Sequence, residues 1–352
     1  MRVDKTFVKQ VTLLTGTTVG AGIFTLPYAF SLVGPLLGLI LFALAWGLIV
    51  FINLSYAWVV VKTEGKHELS GYASFYLGKF GKFLSALLLV TLSWGALLVY
   101  ASLSGSFLAQ LFNYPYLPFI FGLYYFVILA ALVLLGIKVV ERIVLFLVPL
   151  SVALIFLFFL ISLPKISGDN FFALPFTSLS LNAFKILKVF GVYLFALSGF
   201  TIISDVLHLG PEKKKGLPTV LIGSLLPALV YLIFTICVLS VSGSSVSTDA
   251  LSGMVGKISP LALTLLFSLG VLTITTAFLG MGNVLKNMFE KDFKIPHCWA
   301  WFFTVYPPLL GYLFLENRFL EILGVIGFTS TIILMIIVGL TWRKVKGLGV
   351  RG

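Results

Sequence analysis

From Val11 to Val61 the chain runs 51 residues without Asp, Glu, Lys or Arg, and from Phe83 to Ile137 it runs another 55. One helix crosses the hydrocarbon of a bilayer in ~20 residues, so each run holds two crossings and the turn between them. A soluble domain carries roughly 45–50% apolar and about 25% charged residues, whereas here the shares are 60% and 10%. A water-surrounded globule is excluded. The chain reads as an all-α polytopic membrane protein with the lipid bilayer as its solvent.

The net charge of +12 does not point to nucleic acid. The bases sit in short loops between apolar runs, where they mark the cytoplasmic side. Cys237 and Cys298 lie in or beside different apolar segments without CxxC spacing. They read as small apolar fillers rather than a disulfide or zinc framework. Arg2 and Lys5 precede an apolar run that continues past Pro27 with no A-x-A-like cleavage site. An uncleaved first span is therefore expected.

Charge clusters and Gly/Pro/Asn turns divide the chain into ten expected spans: 7–31, 36–61, 83–112, 117–137, 142–163, 184–208, 217–241, 259–286, 298–315 and 319–342. Ten crossings put both termini on one side. Nineteen Lys and Arg residues then fall on that side, against Lys165, Lys185, Lys188, Lys257 and Arg318 opposite. The asymmetry predicts cytoplasmic termini in a multi-pass cell-membrane protein. The longest inner loop is expected at Lys62–Lys82 and the longest outer ones at about 164–183 and 242–258. None holds a soluble domain, so function belongs to one transmembrane domain spanning 1–352.

Span one contains Gly16-Thr17-Thr18-Val19-Gly20-Ala21-Gly22, with Pro27 beyond. Three glycines in seven residues make poor continuous helix, and open backbone survives in lipid only where it lines a cavity or is buried in protein. Gly16-x-x-x-Gly20 alone reads equally as a close helix contact. Span six carries a second interruption at Ser198-Gly199, followed by a short half ending at Asp205. Spans one and six correspond in two five-helix halves of inverted topology, about 7–163 and 184–342. Interruptions paired in this way point to a transporter substrate site. The second half of a broken helix opens with N–H groups that attract a carboxylate. The first half closes with carbonyls that attract an ammonium or a metal cation. An α-amino acid has that charge pattern.

At these residues the sequence resembles the amino acid/auxin permease family, and within it the hydroxy/aromatic amino acid permeases of the amino acid–polyamine–organocation superfamily. The likeness continues through Thr275-Thr276-Ala277-Phe278-Leu279-Gly280, Pro307-Pro308-Leu309-Leu310 and Phe319-Leu320-Glu321-Ile322-Leu323-Gly324-Val325-Ile326-Gly327. The resemblance implies a leucine-transporter-type fold of 5+5 inverted repeats with discontinuous helices 1 and 6, and secondary amino acid transport. It assigns the substrate carboxylate to Thr18, Gly20, Ala21 and Gly22. The amine goes to the Phe195, Ala196, Ser198 and Gly199 segment. A sodium position is outlined by Gly16, Val19, Thr275 and Thr276, an all-oxygen set suited to a hard cation. Many such relatives have eleven helices where ten are counted here. They often carry Pro-Glu where Ser204-Asp205 stands.

Asp205 ends a 16-residue uncharged run after Lys188. With His208 and Lys213 close behind, it reads as an interfacial anchor or inner-gate ion pair more than a proton relay. Trp94, Tyr100 and Phe278 are candidates for the wall of a side-chain pocket. His67, His208 and His297 lie in three separate inner segments and suggest no metal cluster. An enzyme needs paired titratable groups or a nucleophile and base. No such pair falls within an expected span, and H-E-x-x-H and G-x-S-x-G are absent. The expected function is uptake of neutral, aromatic or hydrophobic, L-amino acids by cation-coupled symport, with Na+ or H+ as coupling ion and no cofactor. The alternative is a membrane sensor that binds an amino acid without moving it. The sequence is silent on oligomeric state.

Overall fold

The computed structural model describes residues 5–135, 137–162, 182–210, 213–314 and 319–349. All but the last two residues of the loop expected at 164–183 lie outside these, as do Arg2, Lys165, Arg318 and Arg351. Every regular element among the described residues is helical. They are α1 (Lys5–Thr18), α2 (Gly22–Val33), α3 (Pro35–Lys62), α4 (Leu69–Leu111), α5 (Pro118–Leu134) and α6 (Ile137–Ser162). The second set is α7 (Ala183–Leu197), α8 (Ile203–His208), α9 (Leu217–Ser242), α10 (Pro260–Asn287), α11 (His297–Phe314) and α12 (Phe319–Gly349). Among the described residues six helical segments are long and apolar enough to cross a bilayer, and α1 with α2 qualifies as one span bent by 54°.

Local chemistry sets several boundaries. The Asn182 side chain accepts from the Phe184 N–H at 2.8 Å and starts α7. Ser259 caps α10 in the same way, with Pro260 in the first turn where a missing N–H costs nothing. The buried Lys286 ammonium donates to the Val133 carbonyl at 2.6 Å and so closes α5.

The loop expected at Lys62–Lys82 is partly helical. α4 begins at Leu69 and runs 43 residues, interrupted at Gly78 with φ +68° and ψ −156°. A straight helix of that length would reach about 65 Å, roughly twice the hydrocarbon thickness. Gly78 resolves the conflict with a backbone conformation that a side chain disfavours. The segment before it folds back against α3, where the Thr63 and Tyr76 hydroxyls meet at 2.9 Å.

α3 and α9 expose large apolar side chains on one flank, among them Leu44, Phe51, Leu225, Leu229 and Ile233. In water these would form aggregation-prone stripes, whereas in a bilayer they face solvent of their own kind. At the far end of α3 the Lys62 ammonium sits over the Trp58 ring, and near the end of α12 Lys346 sits over Trp342. The two ends are neighbours, because Lys344 donates to the Tyr76 carbonyl at 2.6 Å. Elsewhere α7 and α12 approach backbone to backbone. A Cβ on Gly191 would lie 2.1 Å from the Gly324 carbonyl oxygen, and one on Gly327 only 2.0 Å from that of Gly191.

Candidate functional site

The two interruptions meet. α1 ends at Thr18 and α2 begins at Gly22, while α7 ends at Leu197 and passes through an extended Ser198 and a 3-10 turn at Phe200–Ile202 into α8. The breaks touch because their facing residues are small. A Cβ on Gly22 would lie 2.6 Å from that of Ala196, and one on Gly199 would lie 2.5 Å from the Thr18 hydroxyl oxygen. Gly20 faces α10 under the same restriction, at 2.7 Å from the Ala277 Cβ.

Around this crossing lies a cavity lined by Thr17, Thr18, Gly20, Gly22, Leu92, Tyr100, Phe195, Ala196, Ser198, Thr201, Ala277 and Met281. It brings together Thr18, Gly20 and Gly22 from the first interruption with Phe195, Ala196 and Ser198 from the second. Ala21 is fully buried and, like Gly199, does not line the cavity. Of the three aromatic candidates only Tyr100 reaches it. The Trp94 indole donates to the Phe303 carbonyl at 3.1 Å, and Phe278 stacks edge-on against Phe126. Thr17, Leu92, Thr201 and Met281 were not singled out from the sequence, since each is a common residue in an apolar helix.

The carbonyl of Ala196 already has a partner at the crossing. It accepts from the Tyr231 hydroxyl on α9 at 2.9 Å, and the Thr18 carbonyl accepts from the same hydroxyl at 2.6 Å.

A second space lies behind α1. Thr15, Gly16, Val19, Ser151, Ile155, Val230 and Thr276 enclose about 20 Å³, room for one water or one small ion. Thr15 Oγ1 and Ser151 Oγ are buried there without a hydrogen-bond partner, an arrangement that calls for a guest or a cost. Gly16, Val19 and Thr276 thus line one space, together with Thr15 and Ser151, which the sequence reading lacked. Thr275 does not belong. Its hydroxyl donates to the Val271 carbonyl at 2.7 Å and meets the Tyr125 hydroxyl at 3.0 Å, on the α5 side of its helix. Successive residues stand about 100° apart around a helix, so only one of the two threonines can face α1.

Asp205 lies in neither space. Its carboxylate is 2.9 Å from the Lys66 ammonium, in the loop between α3 and α4. That loop and the start of α4 are fastened to α8 and to the turn that follows α10. Ser204 donates to the His67 carbonyl at 2.7 Å, and Ser70 and the Gly71 N–H donate to Asp292 at 2.5 and 3.1 Å. Glu68 is buried among these groups. Burial, reinforced by Asp205, pushes its carboxyl well above the ordinary range against the pull of Lys291.

Comparison with known proteins places this geometry. The family model for tryptophan/tyrosine permeases matches residues 3–347. The chain is 26% identical over 377 positions to tyrosine-specific transport system 2 of Haemophilus influenzae, covering 97% of this chain and 88% of that one. With tyrosine-specific transport system 1 of the same organism the identity is 25% over 358 positions, covering 94% and 86%. Among solved structures, MhsT in complex with L-phenylalanine superposes with a TM-score of 0.73 at 16% identity, covering 95% of this chain and 87% of that one. At that identity the likeness is one of fold. The family match runs almost from end to end and takes in both interruptions, so this chain belongs to the tryptophan/tyrosine permease family and is a permease, not an enzyme.

Proposed function

We propose that the chain takes up aromatic, or similarly hydrophobic, L-amino acids by cation-coupled symport through alternating access. The observation that carries this reading is the meeting of two interrupted helices at one cavity. The Ile23 and Phe24 N–H groups already donate to the Gly20 and Ala21 carbonyls, so the substrate carboxylate meets the positive end of α2 at Gly22, with the Tyr100 hydroxyl beside it. The amine faces Phe195 and the Ser198 hydroxyl. Leu92, Ala277 and Met281 offer the apolar wall that an aromatic side chain needs. The two curated relatives named as tyrosine-specific systems, and the neighbour solved with L-phenylalanine, support that substrate class.

The crossing holds about 20 Å³, enough for one water and far too little for an amino acid. Substrate therefore enters only when the halves of the bundle separate, which is what alternating access requires. The loop at Lys66 and the α7–α12 contact are the natural partings on opposite sides of the crossing. In this reading ten spans form two inverted five-helix halves, and both termini are cytoplasmic. A sodium ion would be held by the Gly16 and Val19 carbonyls with the hydroxyls of Thr276, Thr15 and Ser151, an all-oxygen set that fits a hard cation.

The test is uptake of a labelled amino acid panel into proteoliposomes, with sodium and pH gradients imposed in turn. Accumulation of tyrosine, tryptophan or phenylalanine that collapses with one gradient supports the proposal and names the ion. Saturable binding with no accumulation under either gradient would make the chain a sensor.

A further inference from the structure

Tyr231 makes an unusual polar contact among the buried helices. Its side chain comes from the middle of α9, a helix otherwise apolar over most of its length, and is completely buried. Its hydroxyl lies 2.6 Å from the Thr18 carbonyl oxygen and 2.9 Å from that of Ala196. A Cβ on Gly22 would come within 3.6 Å of the same hydroxyl. Three helix ends thus converge on one oxygen atom: the last residue of α1, the penultimate residue of α7 and the first residue of α2.

Electrostatically this is a place built for positive charge. Thr18 and Ala196 sit at the carbonyl ends of two half-helices, where the aligned peptide dipoles concentrate partial negative charge. Two such ends facing each other repel unless something positive lies between them. A bare cation, an ammonium or a hydroxyl proton can do this. A phenol has a single proton, which here is shared between the two carbonyls, and it is anchored by the chain itself.

We propose that Tyr231 is a positioning residue whose hydroxyl takes the place of a cation between the carbonyl ends of the two interrupted helices, so that this point binds no coupling ion. The proposal deepens the transport reading and rests on it for its consequence: a coupling cation is held in the space formed by Thr15, Gly16, Val19, Ser151 and Thr276 and not at the crossing. At most one such ion then accompanies each substrate. Holding the breaks with a neutral, tethered group keeps the crossing assembled whatever the salt around it.

The near-isosteric Tyr231→Phe variant of the full chain tests this without reference to substrate. Removing the hydroxyl leaves the Ala196 carbonyl facing that of Thr18, which keeps only the Gly20 N–H at 2.9 Å, and opens room for a small ion. Thermal melting in detergent is compared in choline, potassium, sodium and lithium chloride at equal ionic strength. The expected result is a variant that melts several degrees below wild type in choline and recovers in sodium or lithium, through binding to the folded state alone. The gain of the variant in sodium or lithium should exceed that of the wild type, whose own gain is limited to the space behind α1, and the variant in potassium should gain much less. An identical cation response in the two proteins would overturn the proposal and leave Tyr231 an ordinary satisfied core tyrosine.

A second measurement needs no variant, in case the substitution prevents folding. The ion-to-substrate ratio of the wild type, from reversal potentials in proteoliposomes, should not exceed one for sodium, and a ratio of two would overturn the proposal. If wild type moves and binds no aromatic amino acid, the transport reading fails, while the melting comparison still decides the role of Tyr231.

Discussion

The Asp205 carboxylate lies 2.9 Å from the Lys66 ammonium, joining the tail of a split helix to the loop that follows α3. Lys66 is 43% exposed, so the pair itself contributes no more than about 1 kcal/mol. Asp205→Asn is therefore expected to loosen this end rather than unfold it. With Thr201→Cys as a reporter in the cavity and the exposed Cys298 replaced by Ser, labelling by an impermeant thiol reagent from this side should accelerate about threefold. An unchanged labelling rate would show that the pair does not hold the end shut.

The crossing tolerates no added atoms at Gly22. In Gly22→Ala the new methyl would lie 2.6 Å from the Ala196 Cβ and 2.8 Å from its Cα, and backbone cannot yield as a flexible side chain can. Overpacking of this kind costs about 1–3 kcal/mol. It falls on the geometry that binds substrate, so tyrosine affinity measured by equilibrium binding should drop at least about tenfold. Affinity equal to wild type would place the substrate elsewhere.

Thr275 and Thr276 separate cleanly. If sodium is the coupling ion, Thr276→Val should abolish sodium-stimulated uptake, and Ser151→Ala should weaken it. Thr275→Val should leave it intact, because that hydroxyl is engaged with Tyr125 at 3.0 Å. Equal loss in both threonine variants, read as initial uptake against sodium concentration, would count against the assigned space.

Glu68 supplies a pH signature. Its carboxyl is raised by burial and by Asp205, so the folded chain holds a proton that the unfolded chain releases. The resulting stability is complete below the ordinary carboxylate pKa and is lost as pH rises through the folded value. Glu68→Gln keeps the shape and cannot ionise. Its melting temperature should fall less steeply than that of wild type as pH is raised from the carboxylate range upward.

The α7–α12 contact predicts a stability effect of a different kind. Gly327→Ala places a methyl 2.0 Å from the Gly191 carbonyl oxygen and 2.8 Å from the Phe195 Cβ. The two helices must part to admit it, at about 1–3 kcal/mol. Detergent melting of the full chain should reveal the loss.

Both interruptions were legible because their residues are poor helix formers with nothing to do in a continuous span. Gly20 and Gly22 alone read equally as a close helix contact; their correspondence with Ser198-Gly199 in the second half marks a break, and Pro27 strengthens the first. The bridge between the breaks was not legible. Tyr231 is one of 13 tyrosines, and nothing in Pro227-Ala228-Leu229-Val230-Tyr231 marks it as polar in function. Its meaning comes from α9 lying across two chain ends far away in sequence. Ser151 was hidden for the same reason. The choice between Thr275 and Thr276 required the rotation of one helix, which adjacent identical residues cannot disclose. The helix from Leu69 to Leu77 was missed because its lysine-flanked, glycine-containing sequence resembles a loop.

The lysine-over-tryptophan pairs that close α3 and α12 act as moorings. Aromatic rings of this kind settle at the boundary between lipid and water, and an ammonium on the ring face pins the boundary to a particular turn of helix. A helix moored at one end can swing about that point but cannot slide along its own axis without dragging tryptophan into hydrocarbon or lysine away from water. Whatever motion carries the crossing from one side to the other, α3 and α12 should therefore behave as pivots rather than pistons.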